Sequence, residues 1–186
     1  MLRLVLFGRQ GAGKGTQCEF LVARYGAVHI STGDMLRQAV ADGTELGKKA
    51  KDLMDAGELV PDDIIVGIVR DRLAVADVAE HGFILDGFPR TLPQAEALWE
   101  LVGPDGVGFA LNIDVPLDIV KTRMLGRGRA DDNDDAIARR LDLYESDTVP
   151  AIGFFESQGV LVTVDGVGTP TEVSERLFAA IDARVV

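Results

Sequence analysis

The nonapeptide Gly8-Arg9-Gln10-Gly11-Ala12-Gly13-Lys14-Gly15-Thr16 follows the apolar run Leu4-Val5-Leu6-Phe7. Strand, glycine-rich loop and a helix beginning near Lys14 are predicted in that order. Glycines let backbone N–H groups wrap an anion without a Cβ in the way, and a helix start adds its positive dipole end. The chemistry this suits is phosphate binding. Lys14 supplies a point charge for β- and γ-phosphates, and Thr16 an oxygen near a magnesium ion. The general pattern puts Ser or Thr directly after the lysine. Here Gly15 intervenes, a narrower variant.

Ile84-Leu85-Asp86-Gly87-Phe88-Pro89-Arg90 is the second such stretch. An apolar strand ending in a carboxylate is the usual companion of a phosphate loop, because the carboxylate orients the magnesium shell. Gly87 and Pro89 predict a turn that points Arg90 back to the cleft. Thr32 at the start of a predicted helix either caps it or contacts a ligand, and Arg37 lies within its first turns. Arg123, Arg127, Arg129, Arg139 and Arg140 fall within 18 residues. Guanidinium groups suit bidentate contacts to phosphate. The alternative is pairing with Asp131, Asp132, Asp134 and Asp135.

These groups need a scaffold. The 186 residues, 47% hydrophobic, suffice for one core with a small inserted lobe. Apolar segments Leu2 to Phe7, Phe83 to Leu85, Phe109 to Ile113 and Val160 to Val164 read as buried parallel strands, with Ala27 to Ile30 a weaker fifth. Helical spacing lies between them, as in Leu117, Val120 and Met124, and in Val173, Leu177 and Ile181. Strands alternating with helices predict an α/β domain with a mostly parallel sheet, its ligand beyond the carboxyl ends of the strands. Ser31 to Val60, mostly helical, and Gly126 to Asp132, rich in Gly, Arg and Asp, read as excursions from the sheet.

A net charge of −11 argues against general nucleic-acid or anionic-membrane binding. A small polyanion needs only a local basic cluster. The one cysteine, Cys18, shares a helix face with Leu21, Val22 and Tyr25 and reads as a packed core residue. With no second cysteine, a cytoplasmic chain without disulfides is expected. Neither a signal peptide nor a membrane-spanning run is apparent.

Together these motifs resemble the adenylate kinase family across essentially the whole chain. Five signatures stand in the family's order: Gly11 to Thr16; Ser31-Thr32-Gly33-Asp34-Met35-Leu36-Arg37; Gly57-Glu58-Leu59-Val60-Pro61; Asp86-Gly87-Phe88-Pro89-Arg90-Thr91 with Gln94; and Gly126-Arg127-Gly128-Arg129-Ala130-Asp131-Asp132. The resemblance implies the three-layer sandwich of the phosphate-loop NTPases: a five-stranded parallel sheet with helices on both faces, a monophosphate-binding segment at 31–60 and a short lid at 126–132. It implies reversible transfer of the terminal phosphoryl group of Mg·ATP to AMP, giving two ADP, in purine nucleotide interconversion.

By the same resemblance ATP meets Gly11, Ala12, Gly13, Lys14, Gly15 and Thr16, with Arg123 near the adenine, Arg127 on the phosphates and a backbone contact from Gly168. AMP meets Thr32, Arg37, backbone groups of Glu58, Leu59 and Val60, then Gly87, Phe88, Pro89, Arg90 and Gln94. Arg129 and Arg140 face the AMP-side phosphates. Lys14, Asp86, Arg90, Arg127, Arg129 and Arg140 form the catalytic set. Magnesium arrives with ATP near Thr16 and Asp86 rather than in a site of several protein ligands. A lid without cysteines implies no structural zinc. A monomer is expected, with no nucleic-acid or membrane partner.

Gln10 stands where the family usually has proline, a departure that bears on loop stiffness but removes no phosphate donor. A UMP/CMP-type kinase is the nearest rival, but Thr32 and the Arg90-Thr91-x-x-Gln94 spacing favour AMP. A non-catalytic nucleotide-binding regulator is a rival of another class, and the retention of Lys14, Asp86 and the arginines speaks against it. Histidines 29 and 81 read as structural or exposed.

Overall fold

A computed structural model describes residues 1–103, 106–126 and 133–184. The strands are β1 (Leu2–Phe7), β2 (Val28–Ser31), β3 (Gly82–Asp86), β4 (Phe109–Asp114) and β5 (Leu161–Asp165). They form one five-stranded sheet in the order β2-β3-β1-β4-β5, parallel at every pairing. Each lies within about a residue of its sequence-predicted position. Between them run α1 (Lys14–Tyr25), α2 (Thr32–Ala41), α3 (Glu45–Ala56), α4 (Asp62–Leu73), α5 (Ala76–His81) and α6 (Leu92–Val102). Then come α7 (Leu117–Gly126), α8 (Asp134–Leu143), α9 (Val149–Ser157) and α10 (Pro170–Asp182), with a π turn at Tyr144–Thr148 joining α8 to α9.

Central β1 shows why the chain forms three layers. Successive side chains of a strand point to opposite faces. Leu2, Leu4 and Leu6 enter one cluster, with Cys18 and Leu21 of α1, Val120 and Met124 of α7 and Leu177 and Ile181 of α10. Val5 and Phe7 enter the other, with Val69 of α4, Ala95 and Leu98 of α6 and Phe155 of α9. Past the half-buried Arg3, β1 is buried on both faces, so Leu4 to Phe7 reads as a continuous apolar run. A buried Leu or Phe of this kind contributes about 1.5–3 kcal/mol.

The excursion at 31–60 is helical as expected. Helices α2 and α3 pack on each other, and α3 also touches α8. Thr44 caps α3 by accepting from Gly47 N at 3.0 Å. At α2 the structure rules out one of the two roles considered for Thr32, the cap. Ser31, not Thr32, is the cap, its Oγ accepting from Asp34 N at 3.3 Å. Ser31 ends β2, where it pairs with Asp86, so the extended residue a cap requires is Ser31, and Thr32 is already helical. No helix among the described residues is long and apolar enough to cross a membrane.

Candidate active site

The carboxyl ends of β1, β3 and β2 open on one cleft of about 620 Å³. Loop 8–13 turns under α7 on its way from β1 to α1. Gly11 has φ +87°, and a Cβ there would lie 2.6 Å from the Val120 carbonyl oxygen, so only glycine passes. Gly13, at φ +98°, is the residue before α1. No side chain caps α1 and no acid stands in its first turn. The helix start thus leaves orphan N–H groups and a positive dipole end at the cleft, the arrangement that binds phosphate.

Lys14 Nζ donates to Gly8 O at 2.7 Å and to Arg9 O at 3.3 Å, so the lysine is held across its own loop. The Ala12 methyl is buried in the core, while its N–H donates to Arg9 O at 3.0 Å. From α7, Arg123 Nη1 reaches the carbonyls of Gly11 and Ala12 at 3.5 and 3.4 Å. Gly15 and Thr16 line the cleft at the start of α1.

Asp86 closes β3, the strand beside β1, and lines the same cleft. Burial alone would raise its pKa. The adjoining His29 imidazole and the charges of Lys14 and Arg90 outweigh burial and hold the carboxyl below the ordinary aspartate value. His29 Nε2 lies 3.6 Å from Asp86 Oδ2, beyond hydrogen-bond length, and has no hydrogen-bond partner among the described residues. His81 is exposed, with Nδ1 at 3.0 Å from Asp77 O.

Past Asp86 the chain turns at Gly87 (φ +81°), and the Phe88–Pro89 peptide is cis. Arg90 Nε donates to Gly87 O at 2.7 Å, folding the guanidinium back toward the cleft as the sequence predicts. Phe88 is buried beneath it. A second cavity adjoins, lined by Thr32, Arg37, Glu58, Leu59, Val60 and Gln94 among others, and Arg90 and Gly87 face both. Arg140 from α8 reaches over this cavity, its Nη2 donating to Met54 O at 2.9 Å. A third small cavity, beside Pro89, Arg90 and Arg140, links the two at the loop. A chain of net charge −11 thus gathers Lys14, Arg37, Arg90, Arg123 and Arg140 around connected space.

This geometry accompanies a match to known proteins. Residues 6–160 match the family model described as adenylate kinase. The chain belongs to the adenylate kinase family. It is similar to the adenylate kinase of Stenotrophomonas maltophilia strain R551-3, at 47% identity covering 97% of this chain and 99% of the relative. It is similar to that of Leptospira biflexa serovar Patoc (strain Patoc 1 / Ames), at 46% identity covering 97% and 100%. A third is the adenylate kinase of Xanthomonas euvesicatoria pv. vesicatoria strain 85-10, at 48% identity covering 97% and 99%.

Of the residues that resemblance to adenylate kinases assigns to ligands, the structure brings the loop, Asp86, Arg90, the Thr32 to Arg37 helix start, Glu58 to Val60, Gln94, Arg123 and Arg140 around the connected cavities. Gly168 stands apart on the loop between β5 and α10 and lines none of them. Arg127 and Arg129 lie outside the described residues, as does the expected lid beyond Gly126. Of the arginine cluster, Arg139 forks onto Glu58 at 2.7 and 3.1 Å, while Asp131 and Asp132, two of the acids considered as its partners, lie outside the described residues. Sequence reasoning missed Asp62, which accepts from Gln94 Nε2 at 2.6 Å and from Thr91 Oγ1 at 3.2 Å. It also missed Thr148, whose hydroxyl donates to Arg90 O at 2.9 Å. Neither belongs to a motif, and only the folded chain brings them there.

Proposed function

We propose that this protein transfers the terminal phosphoryl group of ATP to AMP, reversibly, giving two ADP. The observation that carries this reading is the position of Arg90: its side chain faces the cleft of the phosphate loop and the cavity beneath α2 and α3 at once. A group between a donor phosphate and an acceptor phosphate belongs at that point. The name shared by the relatives supports the same reaction.

Phosphoryl transfer needs positioning and charge stabilisation more than covalent help. The loop amides and Lys14 would hold the ATP phosphates. Thr32, Arg37 and Gln94 would seat AMP, with the Glu58–Val60 backbone near its base. The attacking oxygen of AMP is already ionised, so no general base is required, and none of the catalytic roles falls to a histidine. Arg90 and Arg140, joined in the resemblance by Arg127 and Arg129, would offset charge on the transferred group. Thr16 and the charged Asp86 present hard oxygen donors to the same cleft, which fits a magnesium ion arriving on ATP. That ion would neutralise phosphate charge. The reading extends to a cytoplasmic location, resting on the single cysteine of the sequence, and to a monomer, resting on a sequence with no obvious long apolar stripe to expose.

Purified protein should convert AMP to ADP with Mg·ATP faster than it converts UMP or CMP. Preference for a pyrimidine monophosphate would favour the rival kinase. Nucleotide binding with no turnover would sink the reading and leave a regulator.

A further inference from the structure

Arg9 occupies the first variable position of the phosphate loop, yet it does not line the cleft. Its guanidinium turns outward and every nitrogen is engaged. Nε and Nη2 donate to Glu145 Oε1 at 2.9 and 2.7 Å, and Nη1 reaches Asp114 Oδ1 at 3.3 Å and Val115 O at 3.4 Å. The group also stacks over the Tyr144 ring, with Cζ 5.2 Å from its centroid. Its main chain is held from the other side, where Arg9 O accepts from both Ala12 N and Lys14 Nζ. Residue 9 is therefore fixed at both ends, between the anion cradle and the π turn.

The π turn has further attachments. Tyr144 Oη donates to Asn112 Oδ1 at 3.2 Å, and Thr148 Oγ1 to Arg90 O at 2.9 Å. One five-residue segment, Tyr144–Thr148, grips the donor loop through Arg9 and the backbone of Arg90 through Thr148. Single turns of π helix are frequent at functional sites.

We infer that Arg9 is a positioning residue: by clamping the phosphate loop to Glu145 and Tyr144 it holds the loop in its anion-binding shape and in register with Arg90. This rests on the ATP-binding part of the proposed function. Two other roles fit less well. As a phosphate ligand Arg9 would have to leave two carboxylates and a ring. As an ordinary surface ion pair it would contribute little anywhere, but its side chain is only 22% exposed. The partner carboxylates are 62% exposed at Asp114 and 54% at Glu145, which keeps the expected coupling moderate.

The test is calorimetric binding of ATP and, separately, of AMP to wild type, Arg9→Ala, Glu145→Ala and the double variant, with circular dichroism at the same temperature. The clamp predicts that each single substitution weakens ATP by roughly three- to tenfold and that the double variant is no weaker than the worse single one. AMP affinity stays within about twofold. Glu145→Ala is the decisive variant. It unmasks the Arg9 charge, so if Arg9 acted only by attracting phosphate, ATP would bind tighter, and the inference would be overturned. Equal losses for ATP and AMP, or additive losses in the double variant, would overturn it too. Arg9→Lys keeps the charge but not the fork or the stacking, and should fall between wild type and Arg9→Ala; full wild-type affinity in it would also count against the clamp. A wild-type protein that binds no ATP would instead refute the proposed function.

Discussion

Gln94 holds Arg90 from behind. Its Oε1 accepts the Arg90 backbone N–H at 2.7 Å, while its Nε2 donates to Asp62 at 2.6 Å. Gln94 is 2% exposed, so it joins the Arg90 N–H to the half-buried Asp62 from within the fold. Helix α4, which begins at Asp62, is thereby tied to the turn that aims Arg90.

Gln94→Leu keeps the volume and removes both bonds. An unpaired buried donor or acceptor costs about 1–3 kcal/mol. We expect KM for AMP to rise about tenfold and kcat to fall, with KM for ATP within about twofold. Steady-state kinetics with each substrate varied in turn decides this. An equal rise for both nucleotides would mean that Gln94 supports the fold and not the acceptor side.

Arg90→Ala removes the guanidinium shared by the two cavities, and Lys14→Met removes the loop cation. Each should lower kcat by about 10²-fold or more while the far-ultraviolet dichroism stays native, by comparison with other lost electrostatic donors. Near-normal turnover in Arg90→Ala would show that the phosphates meet elsewhere.

Asp86 gives a pH prediction. Its carboxyl in the folded protein titrates below an unfolded aspartate, whose value is about 3.9. The unfolded chain therefore takes up its proton first as pH falls. The stabilisation is complete well above that value and is lost as pH falls through the lower native one. Between about pH 5 and pH 2 wild type should lose more stability than Asp86→Asn. Urea titrations across that range measure it, and parallel curves for the two proteins would contradict the assignment.

Local features of the chain were legible before folding was considered. The apolar run Leu4 to Phe7 ends in glycine, and Ile84-Leu85 ends in Asp86, so strand ends and phosphate chemistry are written within a few residues of each other. Partners far along the chain were not. Arg9 finds Glu145 across 136 positions and Thr148 finds Arg90 across 58, and neither pairing leaves a periodic or compositional trace. The choice of Ser31 over Thr32 as cap was hidden for a related reason. Two adjacent hydroxyl residues are equivalent in sequence, and only the register of β2 against β3 decides between them. The π turn gives no warning either, since Tyr144–Thr148 carries ordinary helix residues.

Cys18 sits wholly buried on the core face of α1, one turn after Lys14, and burial, then the charge of Asp86, pushes its thiol well above the usual range. It is the sole sulfhydryl of the chain. A thiol so sealed reacts only while α1 stands open, so the molecule carries its own clock for that opening, set one turn beyond the lysine proposed to meet the triphosphate. Any ligand that steadies the loop will slow the clock, and the ticking can be counted without attaching a label anywhere.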